Sequence, residues 1–115
     1  MKILFMNRTA EQQFSSEYRR KWKYPEQVIE KILATENFIE QALSLQDIFQ
    51  HIPFRLHTLK GNRKQEWSIR LGGTGYRVTF IPCNNEGIPL RNGDILAQCR
   101  NIKTIMVTEV SNHYE

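Results

Sequence analysis

No stretch of this chain stays apolar for the roughly 20 residues that a membrane-spanning helix needs. The opening "MKILFMNRTAEQQ" offers one Lys and an apolar run over residues 3–6, too short for the core of a secretion signal. These absences predict a soluble, cytosolic protein with no membrane partner. Cysteine is scarce as well. Cys83 and Cys99 are the two present, neither sits in a CxxC pair, and no histidine stands at zinc-ligand spacing from either. The expectation is a reduced compartment, no structural metal and no cofactor. Internal repeats, low-complexity tracts and linker-like stretches are missing too, so residues 1–115 are expected to form one domain.

What is present suits a folded core. The 115 residues are 40% hydrophobic and 10% aromatic, which argues against disorder. A chain of this length buries roughly two thirds of its unfolded surface and needs no staple. The formal charge is +4, mild enough to suggest an anionic partner without specifying one.

Hydrophobic periodicity places the elements. Residues 2–6, "KILFM", read as a short strand. Residues 9–22 read as a polar helix capped by Thr9, with Phe14, Tyr18 and Trp22 along one face. The next segment, "YPEQVIEKILATENFIEQAL", puts Pro25 in a first helical turn and Glu26 at the positive end of the helix dipole. Within it, Val28, Ile29, Ile32, Leu33, Ile39, Ala42 and Leu43 keep the 3.6-residue period. Ser44 and Asp47 form a capping-box pattern for one or two short turns. After Pro53 the period drops to two. Three antiparallel strands are expected at residues 54–59, 67–71 and 76–80, the last two joined by the turn "GGTG". Residues 82–94 carry two Gly and two Pro and read as a loop or hairpin tip. "ILAQCRNIK" fits strand or helix, and residues 104–110, "TIMVTEV", form a final strand. The class is α+β, with two main N-terminal helices on one face of a mostly antiparallel sheet of four to five strands.

Alternation also sorts charge. Trp67, Ile69 and Leu71 should face the helices with Tyr76, Val78 and Phe80, and Trp67 reads as core. Arg70 and Arg77 should then share the opposite, open face. Like charges across a ladder repel, and a fold tolerates that where an anion normally sits between them. Around them, "RLHTLKGNRKQEWSIRL" adds Arg55, Lys60, Arg63 and Lys64 as candidate phosphate contacts, with His57 among them. Residues 55–77 hold six Lys/Arg against Glu66 alone, so the rest of the chain is nearly neutral. If about five of these cations contacted RNA phosphates, affinity would fall roughly a hundredfold between 50 and 200 mM salt. His51 reads as structural. His57 and His113 could exchange protons, with cations beside them, as RNA self-cleavage requires. Glu109 is a weaker general-base candidate. On this pattern alone a solvated basic sheet face is the commoner reading.

The segment "LHTLKGNRKQEWSIRLGGTGYRVTF" (56–80), followed by "VTEVSNHY" (107–114), resembles the HigB branch of the RelE/ParE toxin superfamily. That family's hallmark runs approximately L-H-x-L-K-G, W-S-I-R, W-R-I-x-F, then a polar residue, Tyr and His. Leu56, His57, Leu59, Lys60, Gly61, Trp67, Ser68, Ile69, Arg70, Arg77 and Phe80 match it. The resemblance is close over about a third of the chain, and the helical half agrees in layout. It implies a RelE-like microbial RNase fold. The activity it implies is ribosome-dependent, metal-independent mRNA cleavage, by the toxin of a type II toxin–antitoxin module.

By position, Lys60 and Arg77 would hold the scissile phosphate, and His57 and His113 would transfer protons. Arg70 would clamp phosphate. The implied partners are mRNA on the ribosome and a helix-turn-helix, HigA-like antitoxin, through which alone operator DNA is bound. Asn112 stands where the family has Tyr before the last His; Tyr114 follows instead and is carried as an RNA contact. Tyr76 replaces a Trp, and residues 82–103 form a longer loop than in short members. Two other readings stay open: a same-fold, ParE-like gyrase inhibitor, and a catalytically silent basic module that binds RNA or protein.

Overall fold

The computed structural model describes residues 1–18, 22–59, 61–63, 65–90 and 94–112. Its centre is a five-stranded sheet in the order β1-β5-β4-β3-β2. The strands are β1 (Lys2–Phe5), β2 (His57–Thr58), β3 (Trp67–Leu71), β4 (Tyr76–Cys83) and β5 (Thr104–Asn112). β1 runs parallel to β5, and every other pairing is antiparallel. The helices are α1 (Arg8–Phe14), α2 (Glu26–Gln41), α3 (Leu45–Gln50) and α4 (Ile95–Gln98).

The main helix, α2, buries Val28, Ile32 and Ile39 on the sheet, each worth about 1.5–3 kcal/mol against exposure. Pro25 is its N-cap rather than part of the first turn. Its last carbonyls are satisfied by the α-amino group of Met1, which donates to Ile39, Glu40 and Ala42 at 3.0, 3.1 and 2.7 Å. The apolar stripe ends one residue earlier than its period suggests, because α2 stops at Gln41 and Leu43 turns out to solvent at 80% exposure.

Helix α1 is shorter than expected. Asn7, not Thr9, caps it, its Oδ1 accepting from the Ala10 N–H at 2.8 Å, and it ends at Phe14. Tyr18 and Trp22 therefore do not continue its face. The outer strand β2 is only two residues long, because residues 52–54 wind into a 3-10 turn. Ser44 caps α3 without a side-chain bond, while Asp47 Oδ2 accepts from the Leu43 N–H. The ambiguous segment is helical, α4 followed by a 3-10 turn over Cys99–Asn101. After β4 the chain folds back as a hairpin, pairing Cys83 with Pro89.

One face of the sheet meets the helices, with Ile69, Val78, Phe80, Ile105 and Val107 closing on Phe14, Ile32 and Ile48. Trp67 is buried in that core, and Tyr76 packs against it. Past Val107 the strand β5 has no β1 partner. Its free edge is taken by side chains: Gln13 Oε1 accepts from the Val110 N–H at 2.9 Å, and the Tyr24 hydroxyl donates to the Val110 carbonyl at 2.8 Å. The other face opens into a cleft along His57, Ser68, Arg70 and Arg77. No described helix is long and apolar enough to cross a membrane.

Candidate functional site on the open sheet face

Register brings two rows of side chains onto the open face. His57 pairs with Ser68, Ser68 with Thr79, and Thr79 with Glu109. One step along, Arg70 pairs with Arg77 and Arg77 with Ser111. Direct cross-strand partners hold their Cβ atoms roughly 5 Å apart, so two guanidinium stems stand side by side. The turn that makes this possible uses Gly73 and Gly75 at φ 76° and 80°, and Thr74 Oγ1 donates to the Leu71 carbonyl at 2.6 Å.

A cleft of about 660 Å³ opens here, lined by Arg55, His57, Ser68, Arg70, Tyr76 and Arg77. Ser68 forms a buried floor at 1% exposure, and Arg70 and His57 are exposed at the rim. Tyr76 is held edge-on against Tyr24, ring centres 5.4 Å apart. Among the described residues, no carboxylate pairs with Arg55, Arg70 or Arg77. Arg77 Nε and Ser111 Oγ are buried and lack a hydrogen-bond partner among those residues. A buried donor without an acceptor costs about 1–3 kcal/mol, so among the described residues this part of the site is short of an acceptor.

His57 is oriented by its own segment. Its Nδ1 lies 2.8 Å from the Arg55 carbonyl. A carbonyl can only accept, so Nδ1 carries the proton, and in the neutral ring Nε2 is the bare nitrogen. Arg55 presents that carbonyl from a left-handed conformation, φ 47° and ψ 48°, a position uncommon for any residue but Gly.

Arg63 is placed apart from this cleft. It makes a fork with Glu66, Nε to Oε2 at 2.7 Å and Nη2 to Oε1 at 2.8 Å, and reaches Glu109 at 2.9 Å. Thr108 Oγ1 donates to Glu66 at 2.5 Å and lies 2.6 Å from Thr79 Oγ1. The register shift between Thr79 and Phe80 is what turns Thr108 toward this network. The Arg63 fork, then the Thr108 hydroxyl, hold the Glu66 carboxyl below its ordinary range, against burial that pushes it up. Glu66 in turn holds Arg63 firmly charged. Glu109 is thus an ion-pair partner here.

The sequence-expected residues divide accordingly. Arg55, His57, Arg70 and Arg77 come together; Arg63 does not join them. Lys60, Lys64, His113 and Tyr114 lie outside the described residues. Ser68 and Tyr76 join the lining without having been singled out as site residues, although Ser68 lies two residues from Arg70 and so on the same face of β3. Among the described residues no three His, Cys, Asp or Glu gather as a metal site.

No family model matches the chain, and no curated protein matches it in sequence. Among solved structures it is similar to the YoeB/ParE toxin from Agrobacterium tumefaciens. That match has a TM-score of 0.55 at 16% identity, over 99% of this chain and 100% of that one. The shared feature is the overall fold.

Proposed function

We propose that this protein is the toxin of a type II toxin–antitoxin module and an endoribonuclease that cuts mRNA on the ribosome, of the HigB kind. The observation that carries the reading is the direct pairing of Arg70 with Arg77 beside His57, in a cleft with no compensating carboxylate among the described residues. Its fold is also that of a YoeB/ParE toxin.

The chemistry is transesterification within RNA. His57 Nε2 takes the proton of a ribose 2′-hydroxyl, whose oxygen attacks the adjacent phosphorus. Arg77 and Arg70 hold the non-bridging oxygens as charge builds on them. The 5′-oxygen leaves with a proton, so the products are a 2′,3′-cyclic phosphate and a 5′-hydroxyl. Following the sequence resemblance, Lys60 shares the phosphate and His113 supplies the leaving-group proton. Arg55, Lys64 and Tyr114 contact flanking RNA, and we assign Arg63 to holding the open face in shape. These groups move protons and stabilise charge without a metal, so cutting is expected to survive EDTA. A HigA-like helix-turn-helix antitoxin is the proposed partner, in the cytoplasm, with operator DNA bound through it. A ParE-like gyrase inhibitor of the same fold would act by contact and would need no oriented histidine, which favours the nuclease.

The test is brief induction in bacteria with 5′-end mapping of mRNA, beside Arg77→Ala and Lys60→Ala. New in-frame ends within translated regions, absent in both variants, are expected. Growth arrest without new ends would replace the nuclease with the binding toxin.

A further inference from the structure

Arg70 walls two hollows. On the open face it belongs to the basic cleft. Where β3 runs on past the short β2, it also walls a second cavity of about 220 Å³ with Lys31, Phe38, His51, Pro53 and Phe54. Three of those residues are rings in mutual contact. Phe38 lies 4.6 Å from His51 and 4.9 Å from Phe54, and His51 lies 4.4 Å from Phe54. Phe54 is buried at 9% exposure and anchors the set. Phe38 and His51 are half-buried and keep surface toward the groove. The proposed cleavage chemistry uses none of the three.

The composition of this groove is selective. Three rings line it together with the cations Arg70 and Lys31, and among the described residues no carboxylate does. A lipid chain would have no use for the cations, and a peptide strand laid on the β3 edge beyond β2 would leave the rings unused. A flat π-system joined to a phosphate satisfies both features. Stacking on aromatic side chains is how single-stranded nucleic acid is held, because its bases are free of a duplex.

We propose that the groove between α2 and the end of β3 is a base-binding subsite. It stacks one nucleobase of single-stranded RNA on Phe38 and His51, next to the phosphate held by Arg70. This rests on reading the cleft as a phosphate site. Stacking is tolerant of base identity, so the subsite fixes where the strand lies more than which base it carries.

The probe is a fluorescein-labelled RNA pentanucleotide, titrated with the full chain at low salt and read by anisotropy. A series of the same oligonucleotide carries an abasic residue at each position in turn. With the unmodified chain, one abasic position is expected to weaken binding about tenfold, the size of one lost base stack. His51→Ala should bind that abasic oligonucleotide and the intact one equally, while His51→Phe, which keeps a ring, restores the difference. Equal binding of every abasic oligonucleotide by the unmodified chain overturns the subsite and leaves the cleft reading standing. Undiminished binding by an Arg70→Ala, Arg77→Ala double variant overturns the cleft reading and the subsite with it. The abasic series needs no variant, so a misfolded His51→Ala does not remove the test.

Discussion

The open face of the sheet carries two groups of charge that neighbour one another and are built in opposite ways. Around Glu66, each charge meets its complement: Arg63 forks onto one carboxylate and reaches a second, and Thr108 donates to Glu66 with Thr79 Oγ1 against its own hydroxyl. In the cleft, Arg55, Arg70 and Arg77 stand together, and among the described residues they meet no carboxylate and the buried Arg77 Nε no acceptor. The same residue type serves both. What separates an arginine that holds a fold from one that holds a ligand is whether the fold supplies the counter-charge. A satisfied network rigidifies, whereas a cleft of one sign concentrates field and draws an anion.

The largest expected contrast is in activity. Arg77→Ala should lower the cleavage rate about 10²–10³-fold, the usual effect of removing one donor to a developing oxyanion, with folding intact. Its melting temperature should hold or rise, since a like-charge neighbour of Arg70 is gone. Arg63→Ala should do the reverse, costing stability before rate. A primer-extension assay beside a thermal melt reads both. Equal rate losses in the two variants would dissolve the distinction between the clusters.

Part of this contrast was legible in the sequence. The alternation of β3 and β4 around a glycine turn fixes that Arg70 and Arg77 share a face, because a one-residue slip would expose Ile69, Val78 and Phe80. The period of α2 is readable for the same reason, since burial repeats along it. Arg63 shows the limit. Glu66 lies three residues away and could be guessed, but Glu109 and Thr108 come from β5, and Thr108 turns inward only through an irregularity in register. The shortness of β2 was equally hidden, because the 3-10 turn over Ile52–Phe54 competes with a strand pattern that reads well locally. Helix α1 ended early although Phe14, Tyr18 and Trp22 keep a helical spacing. Spacing of that kind is necessary for a helix face without being sufficient.

Next in size is the stability held in the satisfied cluster. The Glu66 side chain is only 13% exposed, so its bonds to Arg63 and Thr108 are little screened. Glu66→Gln should cost about 2 kcal/mol in urea unfolding near pH 7, as loss of charge-assisted hydrogen bonds does. The sign of its pH dependence follows from the lowered carboxyl. Its contribution is complete above the ordinary value of about 4.5 and is lost as pH falls through the depressed folded value. The gap between the two proteins should therefore narrow in acid below about 4.5. A gap that widened there would mean that Glu66 is not the ionised partner.

Salt sharpens the comparison further. Three arginines that meet no carboxylate among the described residues predict a slope of about −2 in log affinity for single-stranded RNA, or about a twentyfold loss between 50 and 200 mM. Any contribution from Lys60 and Lys64 steepens it. Arg70→Ala should flatten the slope by about 0.7, and Arg63→Ala should leave it alone, because that charge is already spoken for. Anisotropy titrations over a salt series measure both.

The smallest effect separates backbone from side chain within the cleft itself. Arg55 adopts φ 47°, which glycine reaches without strain, but glycine also gives the unfolded chain more freedom. Arg55→Gly should therefore raise stability by only about 0.5 kcal/mol, read as a shifted urea midpoint with unchanged slope. The carbonyl that accepts from His57 Nδ1 is retained, so the ring keeps its tautomer and cleavage should fall only by one lost phosphate contact. A rate loss comparable to that of Arg77→Ala would mean that the Arg55 guanidinium acts on the reacting phosphate, and that the left-handed turn exists to aim the side chain. A near-normal rate would mean that the turn exists to aim the carbonyl, and through it the histidine.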